Sequence, residues 1–215
     1  MALSELGTAW EPRIIRVFTA LDGSADRMSA DLSRDLCRLL DLVVSWNARV
    51  DLTAARDADE LVDLFLADAL VVARGPAPSG QRWVDVGTGA GAPGLTLALL
   101  RPDLAFTLVE PKDKRVAFLR TVLGSLGRVD VHVERSRSDA LPDASFDVAI
   151  SRATLSPDRW LAEGTRVAGE AVWVLVARDP PPAHQGWRIG QEAEYRWPLT
   201  DVPRRALCFV RDDPR

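Results

Sequence analysis

One stretch constrains this chain more than any other. Asp85-Val86-Gly87-Thr88-Gly89-Ala90-Gly91-Ala92-Pro93-Gly94 follows a short apolar run, Trp83 to Val86, and leads into a helical pattern over 93–101. A glycine-rich turn between a strand and a helix lets backbone bend tightly and approach a ligand closely. Pro93 suits the first turn of that helix, where its missing N–H costs little. The spacing is not the dinucleotide pattern, because the third glycine comes too early. It is not a P-loop either, since no Gly-Lys-Ser/Thr follows.

The pattern around this turn sets the fold class. Short apolar runs at 83–86, 106–109, 129–133, 146–150 and 171–177 read as strands, and the segments 93–101, 112–127 and 157–167 between them are long enough for crossover helices. Such alternation predicts a parallel sheet covered on both faces. Asp179-Pro180-Pro181-Pro182 is then a loop, and 192–197 with 206–211 reads as a closing hairpin, giving seven strands with an antiparallel last one. The first eighty residues differ. Leu32, Leu36, Leu39, Val43 and Trp46 repeat at helical spacing, Asp51-Leu52-Thr53 interrupts, and Leu61, Leu64, Phe65, Ala69 and Val72 form a second stripe. Residues 3–21, with Pro12 near the start, add a further helix. Gly75 to Gly80 closes this part as a turn-rich linker. The expected organisation is a helical extension, 1–80, and an α/β core, 81–215, forming one compact domain.

Composition excludes several classes. At 47% hydrophobic and 27% charged residues the chain is not disordered. No apolar run reaches the roughly 18 residues of a membrane span, and Met1 to Arg16 lacks a basic segment followed by an apolar one, so no secretion leader is expected. Cys37 and Cys208 lie far apart without partner spacing, which predicts neither disulfide nor metal and fits a cytoplasmic location. A net charge of −4 counts against bulk attraction to nucleic acid but leaves room for a local basic patch.

Acidic residues placed after the glycine turn indicate the ligand. Glu110 ends the second strand about twenty positions on, where a carboxylate accepts both hydroxyls of a ribose. Asp139, just past the third strand, is placed to accept from the exocyclic amine of an adenine. Ribose and adenine sites without a pyrophosphate cradle fit S-adenosylmethionine better than NAD. Asp85, at the mouth of the first strand, would face the methionine amino group or orient the loop. Arg152, just past the fourth strand, can reach the same crevice and hold a carboxylate or phosphate in a two-pronged fork. An ion pair with Asp147 or Asp158 is its alternative role.

The chain also resembles a known family, the bacterial 16S rRNA guanine-N7 methyltransferases (RsmG, or GidB). Trp46-Asn47 with Asp51-Leu52-Thr53 is similar to that family's Trp-Asn…Asn-Leu-Thr element, and Asp85 to Gly94 resembles its Asp-Val-Gly-Thr-Gly-x-Gly-x-Pro-Gly loop. Thr107 to Glu110, Lys114 to Leu119 and Ile150 to Ala153 match further blocks in order. The resemblance implies a class I, Rossmann-like S-adenosylmethionine-dependent methyltransferase of the α/β class. It places Gly87, Ala92, Glu110, the segment Arg137-Ser138-Asp139 and Arg152 against the cofactor. Asp85, Gly89 and Gly91 of the turn are expected to join them, and Arg152 is the expected catalytic residue. Lys114 and Arg115, within a cluster that includes Lys112, Arg120 and Arg135, are candidates for RNA phosphates or for the carboxylate of the cofactor. A solvated helix face is the alternative for Lys112, Lys114 and Arg120. The chain departs from the family at Asp51, at Phe65 and Ala69 (usually His-x-Leu-Asp-Ser) and at Arg178 (usually Lys-Gly), which suggests drift at positions facing the substrate.

The missing chemistry points the same way. Guanine N7 carries a free electron pair, so its methylation needs alignment rather than a base. His132 and His184 lie in no motif, no cysteine sits in a fitting loop, and Ser151-Arg152-Ala153-Thr154 stands where amino-group methyltransferases place Asn/Asp-Pro-Pro-aromatic. The expected partner is 16S rRNA or the small ribosomal subunit, with no membrane and no metal. A methyltransferase for a small metabolite, and a cofactor-binding protein without acceptor activity, are the alternatives.

Overall fold

The computed structural model describes residues 3–26 and 28–212, so the outermost residues of the expected 1–80 and 81–215 division lie outside it. Seven strands form one sheet in the order β3-β2-β1-β4-β5-β7-β6. They are β1 (Arg82–Val86), β2 (Ala105–Val109), β3 (His132–Glu134), β4 (Phe146–Ser151), β5 (Ala168–Val176), β6 (Trp187–Arg196) and β7 (Pro203–Arg211). The first five pair in parallel, and β7 runs antiparallel between β5 and β6. Helices are α1 (Glu11–Asp22), α2 (Ala30–Asn47), α3 (Ala58–Ala73), α4 (Gly94–Leu100), α5 (Asp113–Ser125) and α6 (Pro157–Val167).

The expected elements are present, with bounds shifted by a few residues at several of them. The N-terminal helix starts at Glu11 rather than residue 3, preceded by a 3₁₀ turn over Gly7–Trp10. Strand β3 begins at His132, not Val129, whose side chain is 91% exposed beyond the turn after α5. Strand β6 begins five residues earlier than expected. Its exposed edge face and a register shift at Ile189/Gln191 dilute the alternation on which a sequence reading depends. Pro93 lies at the N-cap of α4 rather than inside it, after a cis Ala92–Pro93 bond.

Local chemistry explains the helical layer. Ser29 caps α2 by accepting from the Leu32 N–H at 3.1 Å, and Asp57 caps α3 by accepting from Glu60 at 2.9 Å. At the end of α2 the Asn47 Oδ1 accepts from the N–H groups of Leu52 (2.8 Å) and Thr53 (3.0 Å) and folds the chain back. That bond pair is the structural content of the Trp-Asn…Leu-Thr element. Helix α3 is buried on most of its surface, from Leu61 to Val72, as expected for a helix apolar nearly all round. One core runs without interruption from Trp10 and Phe18 through α2 and α3 to Phe106 and Phe118 on the sheet side. This continuity supports the proposal that the helical extension and the α/β core form a single domain.

Within the extension, the residues before α1 are fastened to α2 by one carboxylate. Asp41 Oδ1 accepts from the Leu6 N–H (2.9 Å), the Gly7 N–H (3.2 Å) and the Trp10 indole (2.7 Å). Asp41→Ala leaves the indole of fully buried Trp10 unpaired, so it is expected to lower unfolding stability by roughly 1–3 kcal/mol. Urea unfolding checks this, with cofactor affinity expected to stay unchanged because the tether lies outside the crevice.

Candidate functional site

In a sheet of this order, β1 and β4 are neighbours whose connections leave in opposite directions. A crevice therefore opens beyond their C-terminal ends, at the topological switch point where open α/β sheets bind ligands. Its volume is about 510 Å³, and the glycine-rich turn forms one wall. The turn is fixed to the sheet by the N–H groups of Gly87 (2.8 Å) and Thr88 (3.1 Å), which both donate to the Val109 carbonyl. The loop after β4 is tied to the same point. Ser151 Oγ donates to the Val86 carbonyl at 2.7 Å, and Thr154 Oγ1 does so at 3.3 Å.

The glycines have different reasons to be glycine. A Cβ on Gly87 would lie 2.5 Å from Thr154, one on Gly91 2.7 Å from Leu95, and one on Gly94 2.4 Å from Asp85. These three are demanded by the protein's own packing. Gly89 has φ +61° with nothing closer than 3.9 Å to an added Cβ, so there the backbone itself faces the crevice. Its N–H donates to Glu110 Oε2 at 3.1 Å, and the Lys112 N–H donates to Oε1 at 2.9 Å. Glu110 is 3% exposed. Two backbone donors use only part of its capacity of about four acceptor sites, which leaves room for a pair of ligand hydroxyls. This arrangement fits a ribose.

Of the expected site residues, the crevice gathers Gly87, Gly89, Ala92, Glu110, Arg115 and Arg152. Arg115 Nη2 donates to the Asp51 carbonyl at 2.9 Å, so the side chain that departs from the family at 51 is immaterial to that contact. Lys112 lines the crevice too, whereas Lys114 is on the exposed side of α5. Asp85 does not line it. Its Oδ2 accepts from Thr88 Oγ1 (2.6 Å) and the Gly94 N–H (2.8 Å), which is the loop-orienting alternative. Gly91 lies behind the turn against Leu95. Arg137, Ser138 and Asp139 are also outside the crevice lining. The Arg137 and Asp139 side chains pair with each other at 3.7 Å, both more than 70% exposed, while Arg166 Nη2 holds the Ser138 carbonyl at 2.6 Å. The backbone of the segment is thereby anchored to α6 through one carbonyl. Leu52 and Leu64, contributed by the helical layer, line the crevice and carry no sequence signal beyond their core-like spacing.

Arg152 is not paired with Asp147 or Asp158. Asp147 is bound to Arg82 at 2.6 Å across β1 and β4. Arg152 Nη1 instead donates to the Leu64 carbonyl and to Asp68 Oδ2 (3.3 Å). Asp68, 1% exposed on α3, also accepts at Oδ1 from the Tyr195 hydroxyl (2.7 Å) and the Trp197 indole (2.8 Å). Burial and the Asp68 charge push the Tyr195 hydroxyl far above its ordinary range, so it stays a donor. Asp68 was missed as a site residue because a sequence cannot show that an Asp on an apolar helix collects partners more than eighty residues away. Phe65 and Ala69, expected to face the substrate, are fully buried in the core instead. Their departure from the family pattern is a packing change and does not touch the crevice.

The class follows from this geometry and from likeness to solved structures. A glycine-turn crevice on a sheet of order 3-2-1-4-5-7-6 defines a class I, Rossmann-like methyltransferase fold. It is shared with a crystal structure described as a SAM dependent methyltransferase from Aquifex aeolicus (TM-score 0.51, 21% identity, covering 69% of this chain and 92% of that one). It is shared also with TrmN from Thermus thermophilus (TM-score 0.50, 17% identity, 70% and 48%). The family model for rRNA small subunit methyltransferase G (GidB) matches residues 32–172. Ribosomal RNA small subunit methyltransferase G of Aeromonas salmonicida is 40% identical over 186 residues, covering 83% of this chain and 88% of that protein. Its namesake from Halorhodospira halophila is 45% identical over 127 residues, 59% of each. The chain belongs to the GidB family.

Asp85 makes the loop sensitive to pH. Its burial pushes the carboxyl up to about 6, against the opposing pull of the Thr88 and Gly94 bonds, and Oδ1 has no partner. The folded value lies above the ordinary 3.8, so between about pH 4 and 6 the folded protein keeps a proton that the unfolded chain has released. Stability from this group therefore falls as pH rises through that window. Asp85→Asn removes the titration while keeping an oxygen for Thr88 and Gly94. The gap in unfolding free energy between variant and wild type is expected to move in favour of the variant by about 2 kcal/mol from pH 4 to pH 7, measured by urea unfolding at both.

Proposed function

We propose that this protein transfers the methyl group of S-adenosylmethionine to N7 of a guanine in the 16S RNA of the small ribosomal subunit, in the cytoplasm. The observation that carries the reading is the Gly89–Glu110 cradle at the switch point of a chain in the GidB family. Glu110 would hold the ribose hydroxyls and the Gly89 backbone would pass along the nucleoside. Arg152 and Arg115 would face the charged amino-acid end. When bound, the cofactor supplies an electrophilic methyl on a positively charged sulfur. The N7 electron pair forms the new N–C bond, the C–S pair stays on sulfur, and the positive charge passes to the base.

No proton is removed in that exchange, which suits the residues present. His132 lies on β3 and His184 in the loop before β6, neither lining the crevice, and Cys37 and Cys208 are buried elsewhere. Among the described residues no His, Cys, Asp and Glu group is suited to hold a metal ion, and no helix is long and apolar enough to cross a membrane. What remains for the protein is positioning. The metabolite and cofactor-binding alternatives draw no comparable support from the relatives, which carry the rRNA name.

Mass mapping of 16S RNA from a strain lacking the gene is expected to show one 7-methylguanosine lost, and restored by the gene in trans. An unchanged modification pattern would overturn the reading. Arg152→Lys is expected to bind cofactor and melt close to wild type, because Asp68 still faces a cation. It should nonetheless lose at least about ten-fold in single-turnover rate at saturating cofactor, since an ammonium cannot reproduce the planar fork. A variant that melts much earlier yet transfers methyl normally while folded would make Arg152 a structural residue.

A further inference from the structure

A second recess adjoins the cofactor crevice. It has a volume of about 300 Å³ and lies between α3, the loop after β4 and the ends of β5 and β7. Leu64, Arg152 and Ala153 line both spaces, so a group in the recess meets the crevice across one side-chain layer. Its walls are largely apolar, with Leu155, Trp160 and Val176 among them, and two guanidinium groups, Arg152 and Arg204, reach it.

The two arginines differ in what they have left to give. Arg152 is engaged by Asp68 and the Leu64 carbonyl. Arg204 lies with its guanidinium carbon 4.0 Å from the centre of the Trp197 ring, and among the described residues its side chain makes no hydrogen bond or ion pair. Its Nε is buried and unpaired. Stacking holds the guanidinium plane fixed, and an unpaired buried donor is costly unless something else supplies the acceptor. Trp197 is itself fixed through its indole N–H to Asp68. The donor fork of Arg204 is thus pre-oriented and vacant of protein partners.

We infer that this recess receives the acceptor guanine and that Arg204 donates to its O6. The inference rests on the N7 reading above and deepens it. On the edge of guanine that carries N7, the other acceptor is O6. N7 must keep its electron pair for the methyl carbon, so a donor that orients the base has to take O6. Such a donor also separates guanine from adenine, which presents an amine at the same place. The residue reads the base and aims N7; it takes no part in bond making.

The test uses small subunits rebuilt with ligated 16S RNA carrying either guanine or 2-aminopurine at the nucleotide that wild-type protein methylates. 2-Aminopurine keeps N7 and lacks O6. Arg204→Ala, and Arg204→Met, which keeps an apolar stem over Trp197, are expected to lower kcat/KM on guanine subunits by about ten- to a hundred-fold, the range for losing a hydrogen bond to a charged donor. Cofactor Kd should stay within about two-fold, since Arg204 lies outside the cofactor crevice. On 2-aminopurine subunits, wild type and variants should react at equal rates. No loss on guanine, or the same loss on both RNAs, overturns the assignment of Arg204 to O6. Wild-type protein that methylates no guanine subunit overturns the activity itself, and that is seen before any variant is compared.

Discussion

A buried carboxylate on the helical layer gathers partners from both ends of the α/β core. Asp68, on a helix otherwise given over to apolar packing, receives hydrogen bonds from Arg152 after β4 and from Tyr195 and Trp197 at the end of β6 and just beyond it. A charge with 1% exposure is tolerable only when its oxygens are occupied and a cation faces it. Removing any partner therefore costs more than the bond itself. Five residues earlier on the same helix, Asp63 does similar work, accepting from the Leu199 and Thr200 N–H groups and the Thr200 hydroxyl. Burial raises its carboxyl above the ordinary range against those bonds. Helix α3 is in this way fastened to the turn between β6 and β7 by two acids, and that fastening sets where Arg152 can point.

The glycine turn depends on a comparable arrangement beneath it. Asp85 organises the turn from below, while Glu110 meets it from the side through Gly89. Neither acid is available to move freely, so the ligand surface is formed before a ligand arrives. Such preformed geometry is what an alignment-driven reaction needs, because the rate rises with the fraction of time that the reacting atoms spend in line.

Much of this was legible in the sequence, and the divisions are physical. The alternation of apolar runs with helical segments predicted β1, β2, β4 and β5, because strands buried on both faces leave a continuous apolar record. Strand β6 left a weaker one, since its edge is wet. At the site, backbone-level features were readable: the turn, and an acid at the end of β2. Asp139 was placed by the same logic; it does not line the crevice, and Arg166 holds the preceding carbonyl to α6. The links that need a partner far along the chain were not readable. Asp68 with Tyr195 spans 127 residues, and Arg152 with Asp68 spans 84. Asp147 and Asp158, the nearest acids in sequence, were the alternative partners for Arg152, and Asp147 is taken by Arg82.

Net charge misleads for a related reason. A balance of −4 argues against an RNA partner if charge is taken as spread evenly. It is not spread evenly. Arg13, Arg82, Arg101, Arg128, Arg166 and Arg196 are each held by a carboxylate, so those cations are neutralised where they stand. Lys112 and Arg115 at the crevice and Arg204 in the adjoining recess have no ion pair among the described residues. A polyanion releases counterions to cations that are not already paired, and Lys112, Arg115 and Arg204 place three such cations at the crevice and its recess. A sum that looks unfavourable for an RNA partner therefore still leaves unpaired cations where the proposed substrate would enter.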